Sequence, residues 1–166
     1  MIVIVMGVSG AGKTRIGRDV AKRMGWTFIE GDDLHTEANR QKMAAGTPLT
    51  DDDRWPWLAR ISDAAREIEA AGGSVVIACS ALKQVYRDRL RTAGGEVRFV
   101  HLAGDTDVIA RRMKARRNHY MPPGLLESQI ATLEVPSEDE RVMSFDVSAR
   151  AQSTVAGVVR WLKDKN

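Results

Sequence analysis

The sequence predicts an α/β fold, with a central five-stranded, mostly parallel sheet flanked by helices. Three observations carry this expectation. Strand-like and helix-like segments alternate along the chain. Val75-Val76-Ile77-Ala78 is apolar at consecutive positions, as a central strand covered on both faces requires. A glycine-rich turn from Gly7 to Thr14 joins an apolar strand directly to a helix. No repeat, low-complexity segment or Gly/Ser/Pro-rich linker divides the 166 residues, so one domain spanning 1–166 is expected.

In order along the chain, strands are expected at 2–6, 27–30, 74–79, 97–103 and 143–147. Helices are expected at 13–24, 35–45, 54–71, 83–92, 106–117, 124–133 and 152–165. The helix at 54–71 has the clearest pattern. Trp57, Ile61, Ala65 and Ile68 recur at helical spacing, Gly72-Gly73 ends it, and Thr50 with Asp53 has capping-box spacing at its start. Pro56 is tolerable there as a first-turn residue. Asp33 is expected to cap the helix at 35–45, and Asp105 the helix at 106–117. Arg98 alternates with Val97 and Phe99, which places the fourth strand near a sheet edge. The segment 118–123 breaks two helices and reads as an exposed flap, part of a helical lid at about 112–124.

Composition narrows the function. Apolar residues make up 43% and charged residues 28%, as in an ordinary globular protein. The net charge is +3, from 25 basic and 22 acidic residues, too even a balance for a nucleic-acid binder, so no nucleic-acid partner is expected. The apolar start at 1–6 is too short for a membrane span or signal peptide, and nothing later approaches a span, so no membrane partner is expected. A lone cysteine, Cys79, rules out an internal disulfide framework, suits the reducing cytoplasm and reads as a small buried residue. Arg111, Arg112, Lys114, Arg116 and Arg117 form a cationic cluster, read either as a solvated helix face or as a clamp for an anion.

Gly7-Val8-Ser9-Gly10-Ala11-Gly12-Lys13-Thr14 fits the G-x-x-x-x-G-K-[ST] spacing between strand and helix, the signature of the P-loop NTPase fold. Such a loop turns backbone N–H groups of Gly7, Ser9, Gly10, Ala11 and Gly12 inward around phosphate, beside a helix N-terminus that favours anions. Lys13 would reach the β- and γ-phosphates of ATP, and the Thr14 hydroxyl would ligate Mg2+. The guanine-specifying Asn-Lys-x-Asp is missing, as is any Asp-x-x-Gly, and the third strand ends in Ala78-Cys79-Ser80 without a Walker-B acid. Elimination favours a compact small-molecule kinase. Asp32 follows the second strand, on the rim where ligands gather in parallel sheets. It would either accept a proton from an attacking hydroxyl, hold the water shell of magnesium, or cap a helix. Read by itself, His35 is a surface histidine.

Longer segments resemble the gluconate kinase (gluconokinase) family. They are Gly31-Asp32-Asp33-Leu34-His35, Asp51-Asp52-Asp53-Arg54-Trp55-Pro56-Trp57-Leu58 and Cys79-Ser80-Ala81-Leu82-Lys83-Gln84-Val85-Tyr86-Arg87-Asp88-Arg89-Leu90-Arg91. The stretch 112–121 resembles that family's lid, with Tyr120 where the family commonly has Phe, and 126–136 its following helix. The resemblance runs from about residue 2 to residue 136. It implies γ-phosphoryl transfer from ATP to the 6-hydroxyl of D-gluconate, a sheet order like that of shikimate and nucleotide-monophosphate kinases, and often a homodimer.

On this reading Lys13, Asp32 and Arg116 are catalytic, Arg112 and Arg116 close over the phosphates, and His119 and Tyr120 latch the lid. Asp32, His35, Arg54, Ser80, Lys83 and Arg87 form the acceptor side, because a sugar acid needs cations for its carboxylate and polar groups for its hydroxyls. The alternatives are structural. Arg54 could pair with Asp51 or Asp52, Lys83 and Arg87 could be solvated, and Trp55 and Trp57 are expected to anchor their helix rather than stack on a sugar.

Overall fold

The computed structural model describes residues 1–114 and 123–164. Arg116, His119 and Tyr120 therefore lie outside the described residues, with most of the expected lid, and of Arg112 only the backbone is described.

The chain runs β1 (Ile2–Met6), α1 (Lys13–Met24), β2 (Thr27–Glu30), a 3-10 turn (Gly31–Leu34), α2 (Glu37–Ala44), α3 (Asp51–Ala70), β3 (Val75–Ala78) and α4 (Gln84–Arg91). It continues through β4 (Val97–Ala103), α5 (Thr106–Lys114), α6 (Pro123–Thr132), a second 3-10 turn (Glu138–Glu140), β5 (Val142–Asp146) and α7 (Ala151–Lys163). The strands form one all-parallel sheet in the order β2-β3-β1-β4-β5.

Alternation along β1 explains the layering. Val3 and Val5 pack with Val20 of α1 and Val155, Val158 and Leu162 of α7. Ile2, Ile4 and Met6 face the other way, against Trp57, Leu58 and Ile61 of α3 and Tyr86 and Leu90 of α4. Both faces of the sheet are thereby covered, which is why β1 and β3 read as unbroken apolar runs.

The sequence misplaces four features. First, α3 begins at Asp51, because the Thr50 hydroxyl accepts from the Asp53 N–H at 3.2 Å while Asp53 Oδ2 accepts from the Thr50 N–H at 2.9 Å. Pro56 consequently lies inside the helix rather than in its first turn, leaving the carbonyl of exposed Asp52 to solvent. Second, α2 is capped by Thr36, whose hydroxyl accepts from the Asn39 N–H at 3.1 Å, because the chain first makes the tight turn at Gly31–Leu34 that contains Asp33. Asp105 does accept from the Asp107 N–H at 2.7 Å, at the start of α5.

Third, β4 is an interior strand between β1 and β5. Arg98 is buried on it because its guanidinium pairs with Glu96 at 2.6 Å, donates to the Leu162 carbonyl at 3.3 Å and lies over the Trp161 ring. Fourth, Arg87 is not solvated, and its donors are taken within the protein rather than left for a ligand. It is fully buried, donates Nε and Nη2 to the Glu140 carboxylate at 2.6 and 2.8 Å, and donates Nη1 to the carbonyls of Ala81 and Leu82, each at 3.1 Å. This fork ties α4 to the turn before β5 and to the chain leaving β3.

The Arg87 pair yields a stability prediction. Hydrogen bonds from Arg87, the leading cause, hold the Glu140 carboxyl down from its ordinary 4.5 to about 2. A carboxylate depressed in the folded state stabilises it fully above the unfolded value, and that contribution fades as pH falls from about 4.5 towards 2. Arg87→Ala leaves the buried Glu140 carboxylate with only the Ser137 N–H at 3.1 Å and Arg91 at 3.4 Å, and should cost about 3–5 kcal/mol in urea unfolding at neutral pH. A loss below about 1 kcal/mol would mean the pair contributes no more than an exposed one.

Candidate active site

The glycine loop leaves β1 at the centre of the sheet. Gly7, Gly10 and Gly12 have φ of 139°, 84° and 98°, backbone values that side chains other than hydrogen rarely adopt. Gly12 is the N-cap of α1 and offers no side-chain cap, so the first amides of the helix turn towards the loop. Lys13 begins α1, and its Nζ donates to the Val8 carbonyl at 3.1 Å, which folds the side chain back over the loop. Thr14 follows it in the first turn. At the far side, the Gly7 N–H donates to the Ser80 carbonyl at 3.3 Å, joining the loop to the end of β3.

Beside β3, the tight turn after β2 carries Asp32. Gly31 sits so close to the Ala78 carbonyl that any Cβ would collide with it. Trp57, fully buried in α3, donates its indole N–H to the Gly31 carbonyl at 2.7 Å. The turn is clamped from both sides, and Asp32 projects from it with a side chain 65% exposed. His35 stacks on Trp57, with ring centroids 4.2 Å apart and planes at 14°. It is buried, not a surface histidine, because Trp57 covers one face of its ring.

A single cleft gathers Ser9, Lys13, Asp32, His35, Arg54 and Ser80 from the acceptor and phosphate sides. Within it, among the described residues, Arg54 is a cation with a buried donor left for an anion. Asp51 is taken by Lys83, at 2.8 and 3.0 Å, and by the Tyr86 hydroxyl. Those bonds, the Lys83 one foremost, lower the Asp51 carboxyl below its ordinary range. Arg54 lies over the Tyr86 ring instead, and its Nε is buried without a hydrogen-bond partner among the described residues. A buried donor without a partner is costly, so a ligand acceptor there is favoured. Lys83 and Arg87 do not line the cleft. Lys83 is held against Asp51 at the start of α4, and Arg87 lies in the core.

Sequence reading passed over the other walls. Met43, Pro48 and Leu49 come from the α2–α3 connection, and Leu125, Ser128 and Gln129 from α6. Gln129 Oε1 accepts from the Ser9 N–H at 2.7 Å, so α6 is bonded directly to the phosphate loop. Spacing gave no hint of a contact across 120 residues. A second hollow, of about 480 Å3, opens beyond the loop between Gly10–Gly12, Arg15 and the Ser148–Arg150 segment after β5. The rule that ligands sit past strand carboxyl ends could have pointed to that segment.

Cys79 is buried at the end of β3, and desolvation raises its thiol to about 12, so it is chemically inert there. Among the described residues, no three His, Cys, Asp or Glu side chains form a metal cluster. Thr14, in the first turn of α1, carries a hydroxyl of the kind magnesium takes together with phosphate oxygens and water. No helix among the described residues is long and apolar enough to cross a membrane.

Known proteins agree with this architecture. The AAA domain family model matches residues 2–136. Gluconokinase of Gluconobacter oxydans (strain 621H) is 51% identical over 141 residues, covering 85% of this chain and 79% of the relative. Thermoresistant gluconokinase of Escherichia coli (strain K12) is 41% identical over 163 residues, covering 98% of this chain and 93% of the relative. Among solved structures, a gluconokinase from Sinorhizobium meliloti 1021 superposes with a TM-score of 0.83 at 44% identity, over 99% of this chain and 96% of that one. An unliganded sugar kinase from Janibacter sp. HTCC2649 gives 0.93 at 44% identity, over 98% and 94%.

Lys13→Ala should leave cooperative unfolding intact. Triphosphate turnover should fall by at least about 100-fold, the scale on which one preformed charge-stabilising donor is lost. Turnover near that of the parent protein would remove the loop from the chemistry.

Proposed function

The chain belongs to the gluconokinase family, and from that premise we propose that it transfers the γ-phosphoryl of ATP to the 6-hydroxyl of D-gluconate, giving 6-phosphogluconate and ADP. The carrying observation is the single cleft that holds Lys13 on one wall and Asp32 and Arg54 on the other. Gluconate is a carboxylate on a short polyol, and the cleft offers the matching pair of groups. Arg54 takes the carboxylate through its guanidinium, whose buried Nε has no partner among the described residues, and Asp32 meets the hydroxyl at the opposite end.

The step needs little covalent chemistry from the protein. The 6-oxygen attacks the γ-phosphorus, the bond to the β,γ-bridging oxygen breaks, and the hydroxyl proton passes to the Asp32 carboxylate. Lys13 and the loop amides offset charge on the phosphate oxygens. Magnesium, when bound, offsets further charge there, and the Thr14 hydroxyl helps to hold it. Ser80, at the end of β3, offers a hydroxyl to the polyol. The nucleoside end of ATP fits the hollow between Arg15 and Arg150. Arg112 and Arg116 complete the phosphate site, with Arg116 catalytic, in the stretch 112–124 that the family resemblance reads as a lid. We place the enzyme in the cytoplasm, where the lone thiol stays reduced, and read it as a homodimer, as the family resemblance implies.

Gluconate-dependent ADP release, measured with ATP, magnesium and a panel of sugar acids, sugars and shikimate, tests the substrate. Gluconate should be turned over in preference to the rest. Release that is equal without an acceptor would reduce the chain to an ATPase, and a preference for shikimate would move it to another kinase.

Two substitutions test the roles. Asp32→Asn should lower kcat by about 10²–10⁴, the range for a lost general base. Arg54→Ala should raise KM for gluconate about 10- to 100-fold, because a hydrogen bond between charged groups contributes about 1.5–3 kcal/mol. An effect of Arg54→Ala on ATP alone would put that residue on the wrong side of the cleft.

A further inference from the structure

His35 has no part in the steps above, yet its surroundings fix which of its nitrogens carries the proton. Asn39 is buried, and its Nδ2 donates to the Asp53 backbone carbonyl at 2.8 Å. A carbonyl oxygen can only accept, so the Asn39 atom facing it is the amide nitrogen. The same nitrogen lies 3.3 Å from His35 Nδ1 and has one hydrogen left to give. Nδ1 is therefore the acceptor, and a neutral ring must carry its hydrogen on Nε2. Nε2 is the nitrogen that faces Asp32, 3.8 Å from Oδ1.

Burial favours the neutral ring. Its side chain is 3% exposed and stacked on Trp57, and burial pushes its pKa down from 6.5 to about 4. The charged groups facing it are Asp32 from its own turn, which opposes the shift, and Arg54 of α3 and Arg40 of α2, which add to it.

We propose that His35 is a positioning residue, which donates Nε2–H to one oxygen of Asp32 so that the other is aimed at the acceptor hydroxyl. The present separation is longer than a hydrogen bond. Asp32 is mostly exposed, so its carboxylate has room to shift towards Nε2, as catalytic contacts tighten when substrate binds. The chain of contacts Asp53–Asn39–His35–Asp32 thus runs from the first turn of α3, the helix that also supplies Arg54, to the proposed base. This inference rests on the reading of Asp32 as the base.

The bland alternative is that His35 merely fills space against Trp57, and two substitutions separate the possibilities. His35→Phe keeps a flat ring for the stack but has no donor. His35→Gln places an amide N–H near the position of Nε2. His35→Phe should lower kcat at least about tenfold with KM for gluconate and ATP changed less than about twofold, and His35→Gln should hold kcat within about threefold of the parent. A parental kcat in His35→Phe, or equal losses in both, would overturn the inference.

Nitrogen-15 NMR of the unsubstituted protein needs no variant to fold. It should show His35 neutral with the hydrogen on Nε2 from about pH 5.5 to 8, and a hydrogen on Nδ1 would overturn the inference. Asp32→Asn assayed alongside keeps the two readings apart. An undiminished kcat there overturns the base itself and this inference with it. Its loss there, with a parental kcat in His35→Phe, overturns the positioning role alone.

Discussion

Parallel pairing of β1 with β3 on one side and β4 on the other is the constraint on which the site depends. Parallel strands end on the same rim, so the phosphate loop after β1, the Asp32 turn after β2 and Ser80 after β3 are brought together without long excursions of chain. Two backbone bonds hold the register past the strand ends, Cys79 N–H to the Val5 carbonyl at 3.1 Å and Gly7 N–H to the Ser80 carbonyl at 3.3 Å. The donor and acceptor walls are thereby fixed relative to each other by the sheet. Positioning of this kind is most of what phosphoryl transfer asks of a protein.

Around that rim the cations divide into structural and available ones. Arg87 spends its whole fork on Glu140 and on the carbonyls of Ala81 and Leu82. Ala81 has φ of 44°, an unfavourable value for a residue with a Cβ, and the chain there carries Ser80 into the cleft. Arg87 thus supports the site from behind. Lys83 and Tyr86 hold Asp51, a carboxylate that lies within the electrostatic reach of Arg54. Neutralising that carboxylate elsewhere leaves Arg54 over an aromatic face with a buried donor unspent. Lys42 does the same for Asp53, whose carboxyl its hydrogen bonds, chiefly, lower to about 2.

Much of this was legible in the sequence, because the legible parts are local. The limits of β1, α1, β2 and β4 follow from apolar runs and glycines, and the Thr50–Asp53 box from its spacing. The phosphate loop is a contiguous signature, and the long motifs around Asp32, Arg54 and Ser80 pointed to the same family as the comparisons. What the sequence hid depends on distant partners. Arg87 and Glu140 are 53 residues apart, and a lysine–arginine pair at one-turn spacing looks the same whether buried or solvated. Arg98 looked like an edge residue because nothing local announces that Glu96 and the end of α7 would bury it. His35 looked exposed because the tryptophan that covers it lies on another helix.

The most direct test is a crystal structure with D-gluconate, magnesium and a non-hydrolysable ATP analogue bound together. The carboxylate should lie within about 3 Å of the Arg54 guanidinium, with the 6-hydroxyl between Asp32 and the terminal phosphate. Gluconate bound the other way round, with its carboxylate away from Arg54 or its 6-hydroxyl away from Asp32, would contradict the assignment.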